Sequence, residues 1–341
     1  MNILFDIGHP AHVHLFKNLI FYFKKKGYKI TVVSRDKDLT IYLLNHYKIP
    51  HIVISKAKSG LIGALFEFLQ RTIRIIKLHK KHNFDIAIGT SVSIGYLSLL
   101  FNVKSYVFCE DDDYVVPLFA LLAYPFASKI INPKCLKFKL FKNNRILHSS
   151  YQKLAYLHPN NLKPNIKILR KYNLTPYKYI IIRKSTLKAH HDINIKGLEK
   201  LSPRINEIIS KYKVISSLEN NKKYNISPLD IHDLMTHAKL IITDSQSMSV
   251  EGAVLGIPTL RFNSFGKKIS ILKELEDKYD LTISFIPGEE KKLLHKIKEL
   301  LRKKRLNIIW NNKKTNMLKE KIDFNQWMIE FFNKESKNIN L

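Results

Sequence analysis

Cysteine is nearly absent from this chain of 341 residues, which has only Cys109 and Cys135. Two cysteines cannot build a disulfide framework or a cysteine-ligated zinc site, and their scarcity fits a reducing compartment. Long apolar runs are missing too. No window reaches the ~18 uninterrupted apolar residues of a membrane-spanning segment, so no such helix is expected. The opening residues, MNILFDIGHP, turn polar after a short apolar stretch and lack the basic segment and long apolar run of a secretory signal. Acids are also scarce, 28 against 58 lysines and arginines, leaving a formal net charge of +30. Nucleic acid, an anionic membrane surface, or a composition drifting toward Lys, Asn and Ile would each account for that excess. The lysines lie in short scattered runs without zinc-finger, RNP-type or aromatic-basic patterns, so no nucleic-acid partner is expected.

What is present is alternation. With 45% hydrophobic and 25% charged residues, the chain has an ordinary globular composition and the length for two domains. Strand-like runs at Asn2–Ile7, Lys29–Ser34, His51–Ile54, Asp85–Gly89 and Ser105–Cys109 alternate with helical patterns at Val13–Lys26, Asp38–Tyr47, Leu61–Lys81 and Ser93–Leu100. This predicts a parallel sheet covered on both faces. Asn132–Pro176, rich in Asn, Lys and Pro and without strong periodicity, is the expected crossing between domains. A second unit follows, with strands at Tyr179–Ile182, Lys213–Ser216, Leu240–Thr243, Pro258–Phe262 and Thr282–Phe285. The expected domains are residues 1–165 and 176–312, and a C-terminal segment 313–341, apolar at Phe324, Trp327, Met328 and Phe331, is expected to pack back on the first.

The run LIITDSQSMSVEGAVLGIPTL, residues 240–260, places a turn of small hydroxyl residues and one acid between a buried strand and a helix. Asp244 and Ser245 read as cap residues. A helix starting there aims the first-turn amides, including those of Ser247 and Met248, and its positive dipole end at an anion such as a diphosphate. Glu251, on the early turns, can accept two hydrogen bonds from a ribose diol. An ordinary capped helix with a solvated Glu251 is the alternative. Arg183 and Lys184 end a strand, where a cation would neutralise a diphosphate leaving group. His191, with His190 and Asp192, is a further candidate for the base or phosphates; Ser217 and Asn220 are weaker ones.

Three first-domain loops fall at the carboxyl ends of predicted strands, where ligands of parallel sheets bind: Gly8–His14, Gly89–Ser93 and Glu110–Tyr114. Gly8 permits a close backbone turn, and His9, His12 and His14 bring titratable rings to one place. His9 is the expected general base for a sugar hydroxyl, with Asp6 orienting it. His12, Thr90 and Ser91 are expected substrate contacts. In the acidic run from Glu110 to Asp113, crowding would raise one pKa, making Glu110 and Asp112 candidate acid–base groups. Three imidazoles or paired acids can bind a divalent ion, but no metal site is expected. Leu61–Lys81 reads either as a core helix with a basic solvent face or as a helix lying in a headgroup layer.

These residues carry resemblances. TDSQSMSVEGAVLGIPTL is similar to the donor-binding segment of UDP-N-acetylglucosamine 2-epimerases, where a T-D-S turn precedes a helix with a ribose-binding Glu; Gln246 and Ser247 replace that family's Gly-Gly pair. DIAIGTSVSIGYLSLLFNVKSYVFCEDD resembles a second epimerase segment, and Glu110 falls where that family has an active-site Glu. MNILFDIGHPAHVHLFKNLI resembles the start of the DUF354 family over almost every residue. The resemblance implies an α/β, GT-B-like fold, with two Rossmann-like parallel-sheet domains facing across a cleft. The first would be the acceptor and catalytic domain, the second the nucleotide-sugar-binding one. It implies a metal-independent, cytoplasmic glycosyltransferase, peripheral at the inner face of the membrane. Its donor would be a nucleotide-diphosphate sugar, a UDP-sugar by preference, and its acceptor a glycan or lipid-linked sugar of cell-surface polysaccharide synthesis. A UDP-sugar 2-epimerase or hydrolase and a non-catalytic nucleotide-sugar-binding subunit are the alternatives.

Overall fold

The computed structural model describes residues 1–138, 141–184, 198–218, 226–264 and 268–339. These fall into two compact units: Met1–Tyr156 with Ile322–Leu341, and Leu157–Lys321.

The first unit runs β1 (Asn2–Ile7), α1 (Pro10–Lys25), β2 (Lys29–Asp36), α2 (Thr40–His46), β3 (Ile52–Lys56), α3 (Gly60–His82), β4 (Ile86–Gly89), α4 (Gly95–Leu100), β5 (Lys104–Phe108), α5 (Pro117–Ala123), β6 (Lys129–Pro133), β7 (Arg145–His148) and a helical turn, α6 (Leu154–Leu157). Its seven strands form one parallel sheet, ordered β3-β2-β1-β4-β5-β6-β7. Because β1 has β2 on one side and β4 on the other, the chain reverses its direction of winding there. The crevice beyond the carboxyl ends of β1 and β4 is therefore where a ligand of such a sheet sits.

The second unit begins with a short helix, α7 (Ile168–Lys171), and runs β8 (Tyr179–Lys184), α8 (Leu198–Ile208), β9 (Lys213–Leu218), α9 (Ile231–Thr236), β10 (Leu240–Thr243), α10 (Gln246–Leu255), β11 (Thr259–Phe262), α11 (Ser270–Asp277), β12 (Thr282–Phe285), α12 (Glu290–Arg302) and α13 (Leu306–Glu320). Its sheet is also parallel, ordered β12-β11-β10-β8-β9, with the reversal between β8 and β10. The central strands β1 and β10 are nearly continuous apolar runs because both their faces are covered.

Two stretches depart from the sequence reading. Asn132–Pro176 is not simply a crossing: it contains β7 and the end of β6, which extend the first sheet. The apolar centre of β6 is only Ile130 and Ile131, and β7 is a four-residue edge strand. Neither is long enough for period-2 alternation to show. The amphipathic stretch from residue 311 to 333 is two helices, broken at residues 321–323. Trp310 and Met317 bury α13 in the second unit, with Trp310 Nε1 donating to Leu281 O at 2.9 Å. Asp323 then starts α14 (Phe324–Ile339), its Oδ1 accepting from Asn325 N at 3.0 Å and Gln326 N at 3.2 Å. In α14, Phe324 and Phe332 are fully buried, and Phe332 meets Phe23 of α1 edge-on at 6.2 Å.

Close approach of α10 to its sheet depends on Gly252. A Cβ there would lie 2.2 Å from Thr259 Oγ1 and 3.1 Å from Ile241 Cδ1. Gly252→Ala is expected to cost about 1–3 kcal/mol of stability through overpacking. Thermal unfolding checks this, and Thr259→Ala in the same chain should recover part of the loss.

Candidate functional site

At the winding reversal of the first sheet, Asp6 is fully buried near the end of β1, and both Arg71 of α3 and Ser91 donate to its carboxylate. Gly89 of β4 stands opposite in register, and a Cβ there would come within 2.9 Å of Asp6 Cβ and O, so only glycine fits. Asp6 therefore does not orient His9. Its carboxylate is taken by Arg71 of α3 and Ser91 of the loop after β4, while His9 lies beyond the strand end as the N-cap of α1. His9 Nδ1 accepts from Ala11 N at 3.2 Å, and its Nε2 lies 3.9 Å from Asp38 Oδ2. Nδ1 of His9 is thus taken up by the cap, while the side chain as a whole is 39% exposed. Gly8 is not in the left-handed region, and a Cβ would meet His12 Nδ1 only at 3.8 Å. Its contribution is its N–H, which donates to His12 Nδ1 at 3.3 Å.

His12 is the better-placed ring. Thr90 Oγ1, just past the end of β4, lies 2.7 Å from its Nδ1. Its pKa is lowered well below the ordinary 6.5, first by burial and then by the charges of His9, Lys153, Lys37 and Arg71. The ring is neutral at neutral pH. With the folded pKa depressed, the unfolded chain binds more protons than the folded one at pH values between that pKa and 6.5, so stability rises with pH across that window. Stability is expected to fall as pH drops below 6.5. His12→Gln should flatten that slope in thermal melts recorded from mildly acidic to neutral pH.

The acidic run does not crowd. Glu110 accepts from Gln152 N and, at 2.7 Å, from Lys153 Nζ. Asp112 Oδ1 accepts from Lys137 N at 2.7 Å, and Asp113 takes a two-point bond from Arg145 at 2.8 and 2.9 Å. Each of these carboxylates has its own donor. Asp112 is fully buried and fixes a loop through Lys137 N. Glu110 is different: its partner Lys153 is one of the charges acting on His12, so Glu110, Lys153, His12 and Thr90 form one group of loops beyond β1, β4 and β5. Cys109, beside them, is buried and its thiol is pushed up to about 12, by burial first and Asp111 next, so it stays protonated. No local pattern marks Arg71 or Lys153 in the sequence; tertiary placement alone brings them here.

In the second unit Ser245 is the N-cap of α10, its Oγ accepting from Met248 N at 3.4 Å. The Met248 amide is thus committed to the cap and its side chain is buried, leaving the first-turn amides before it, Ser247's included, nearest any anion. Thr243 Oγ1 accepts from Ser245 N at 3.0 Å, and Asn263 Nδ2 donates to Asp244 O at 3.1 Å, fixing the turn. In register with Thr243 are Arg183 on β8 and Arg261 on β11, and side chains in register on parallel strands point to the same face. Ile241 and Thr259, on that same face, contact the Gly252 position of α10. Two guanidinium groups therefore lie on the face of the sheet that α10 covers, flanking the strand that feeds its N-terminus. Arg261 is fully buried; burial lowers its pKa to about 10 against the opposing pull of Asp244 and Glu276. One arginine inside an otherwise buried apolar strand, TLRF, is the signal that identifies it. Glu251 is half-buried, with Oε1 3.6 Å from His232 Nε2 of α9.

Lys184 projects to the opposite face from Arg183 and donates to Ser202 of α8, away from the α10 terminus. Ser217 is the register partner of Arg183 on β9. His191, with Ser185, Thr186, His190, Asp192 and Asn220, lies outside the described residues. Among the described residues no group of three His, Cys, Asp or Glu side chains is arranged to hold a metal ion.

Two parallel α/β units of seven and five strands define a GT-B-type fold, and solved structures share it. The structure of MnaA from S. aureus with UDP superposes with a TM-score of 0.71 at 15% identity, covering 99% of this chain and 97% of that one. The UDP-GlcNAc 2-epimerase of Methanocaldococcus jannaschii, in complex with UDP-GlcNAc and UDP, gives 0.65 at 15% identity over 89% and 94% of the two chains. A glycosyltransferase from Rickettsia africae gives 0.57 at 16% identity over 99% and 98%. The model of the family described as "Protein of unknown function (DUF354)" matches residues 1–322, and the chain belongs to that family.

Proposed function

We propose that the protein is a glycosyltransferase that takes a sugar from a nucleotide-diphosphate donor, a UDP-sugar, and passes it to a glycan or lipid-linked acceptor in cell-surface polysaccharide assembly. The observation that carries the reading is in the second unit: a capped helix N-terminus, Arg183 at the winding reversal, and Glu251 on the same helix. Amides and a guanidinium suit a diphosphate, and a carboxylate suits a ribose diol. That two neighbours of the fold were solved with UDP supports the choice of base.

In the transfer, the acceptor hydroxyl loses its proton, its oxygen bonds to the anomeric carbon, and the bond from that carbon to the diphosphate oxygen breaks. Arg183 and the α10 terminus stabilise the charge that develops on the departing diphosphate, so no metal ion is required. The base is assigned to His12: Gly8 N donates to its Nδ1, so the neutral ring carries its proton on Nε2, and the Nδ1 lone pair, 2.7 Å from Thr90 Oγ1, takes the hydroxyl proton of Thr90 as that oxygen receives the acceptor's. Glu110, joined to Lys153, favours a second reading, an epimerase or hydrolase in which a carboxylate moves a proton at the sugar.

The test is incubation with UDP-sugars in the absence of acceptor, followed by chromatography, alongside calorimetry with UDP. Nucleotide binding with the donor left unchanged until a glycan or lipid-linked acceptor is added supports transfer. A new epimer or free UDP without acceptor supports the second reading. Absence of nucleotide binding would sink both.

A further inference from the structure

Amphipathic helices of globular domains bury the apolar stripe and expose the polar one. Helix α3 does the reverse over its first three turns. Its inward face carries Glu67 and Arg71, both buried, with Glu67 accepting from Arg35 and Ser55 and Arg71 donating to Ser55 and Asp6. Its outward face carries Ile62, 86% exposed, and Leu65, Phe66, Leu69 and Ile73, each more than half exposed. Those spacings of three and four residues set one continuous stripe along the helix.

The stripe has company. Phe68 of α3 meets Tyr96 of α4 at 5.5 Å, Tyr96 meets Phe126 just after α5 at 4.9 Å, and the inner sides of all three helices share one core cluster over the sheet. On the outer side of this layer Leu99 and Leu100 of α4 and Leu118 and Leu121 of α5 are again more than half exposed. An apolar layer of this extent marks an interaction surface.

Charge identifies the occupant. From Lys56 to Phe108 the only acids are Glu67, which is buried, and Asp85, which accepts from Asn2 N at 2.7 Å. Exposed Lys58, Arg74, Lys77, Lys80 and Lys81 accompany the stripe, and Lys58 Nζ sits 3.9 Å from the Phe66 ring centre. A second copy docked through the same face would set these cations against each other with no exposed acid on α3 to meet them. An anionic lipid surface accepts both features, the acyl boundary taking the apolar side chains and the headgroups the cations. No helix among the described residues is long and apolar enough to cross a membrane, so the contact is with the surface.

We propose that the outward face of α3, continued by α4 and α5, docks on an anionic lipid bilayer. The inference stands apart from the reaction assigned above. It places on the membrane the same helix whose Arg71 anchors Asp6 at the end of β1.

The test is co-sedimentation of the full chain with vesicles of phosphatidylcholine alone or mixed with phosphatidylglycerol. The protein is expected to partition onto the mixed vesicles, and Leu65→Ser/Leu69→Ser/Ile73→Ser, which leaves the net charge unchanged, is expected to weaken that partition about tenfold or more. A second variant, Arg74→Gln/Lys77→Gln/Lys81→Gln, keeps the apolar stripe and should also weaken it. Both alter exposed side chains, and unchanged melting curves verify their fold. Undiminished binding of the serine variant would mean general adsorption of a cationic protein and would overturn the proposal. So would failure of the unaltered chain to bind mixed vesicles, whether it is monomeric or is a dimer, seen by light scattering, that the serine variant converts to monomer.

Discussion

Asp6→Ala is expected to destabilise the protein by about 3–5 kcal/mol, because it strands a buried Arg71 guanidinium without its carboxylate. The melting temperature should fall by on the order of 10 °C. The loss comes mainly from the charge left behind and only partly from a contact removed. Replacing both partners by apolar residues, Asp6→Leu with Arg71→Met, should therefore recover most of the stability that either single change loses. The cycle of four proteins, followed by thermal and denaturant unfolding, separates this account from simple cavity formation, in which the double variant would be the least stable of the set. Ser91 loses its acceptor in Asp6→Ala, so the loop that holds Thr90 against His12 should also loosen.

Glu251→Gln is expected to weaken UDP binding by about ten- to a hundredfold, the range for a hydrogen bond to a charged group. Calorimetry with UDP measures it, and 2′-deoxy-UDP sharpens it. If the carboxylate holds the ribose diol, the unaltered protein should lose a comparable factor toward the deoxynucleotide, and the variant should lose little further. UDP binding equal to that of the unaltered protein would remove the ribose assignment and leave Glu251 as the partner of His232 within the α9–α10 contact. Because the Gln side chain keeps the shape of Glu, lost affinity with an unchanged melting temperature would belong to the ligand.

The parts of the fold that can be read from the sequence are those whose signal is local. Strands β1 and β10 are covered on both faces and so form unbroken apolar runs, and the cap of α10 lies within four residues, Ser245 to Met248. Strand β7 cannot be read this way, because an edge strand of Arg145–His148 with half-exposed side chains has no periodicity to show. Asp323, which divides α13 from α14, is an acid in a lysine-rich stretch whose capping role appears only when its carboxylate is seen on the amides that follow. The site divides the same way. Arg183, Ser245 and Glu251 stand on or beside the elements that present them, whereas Arg71 reaches Asp6 across 65 residues and Lys153 reaches Glu110 across 43. Nearness of His9 to a strand end in sequence says nothing of which ring nitrogen is left for a ligand; the structure commits its Nδ1 to the cap of α1.

The return of α14 to the first unit bears on how the chain folds as it is made. Domains tend to fold in order as they leave the ribosome. The first unit cannot follow that order to completion, because Phe23, Tyr106 and Phe108 are covered by Phe324 and Phe332, which are synthesised only after the whole second unit. All of Leu157–Lys321 is translated while that aromatic face waits for its lid. Nascent chains stalled before Ile322 should therefore be protease-sensitive in their first unit even when the second is already compact.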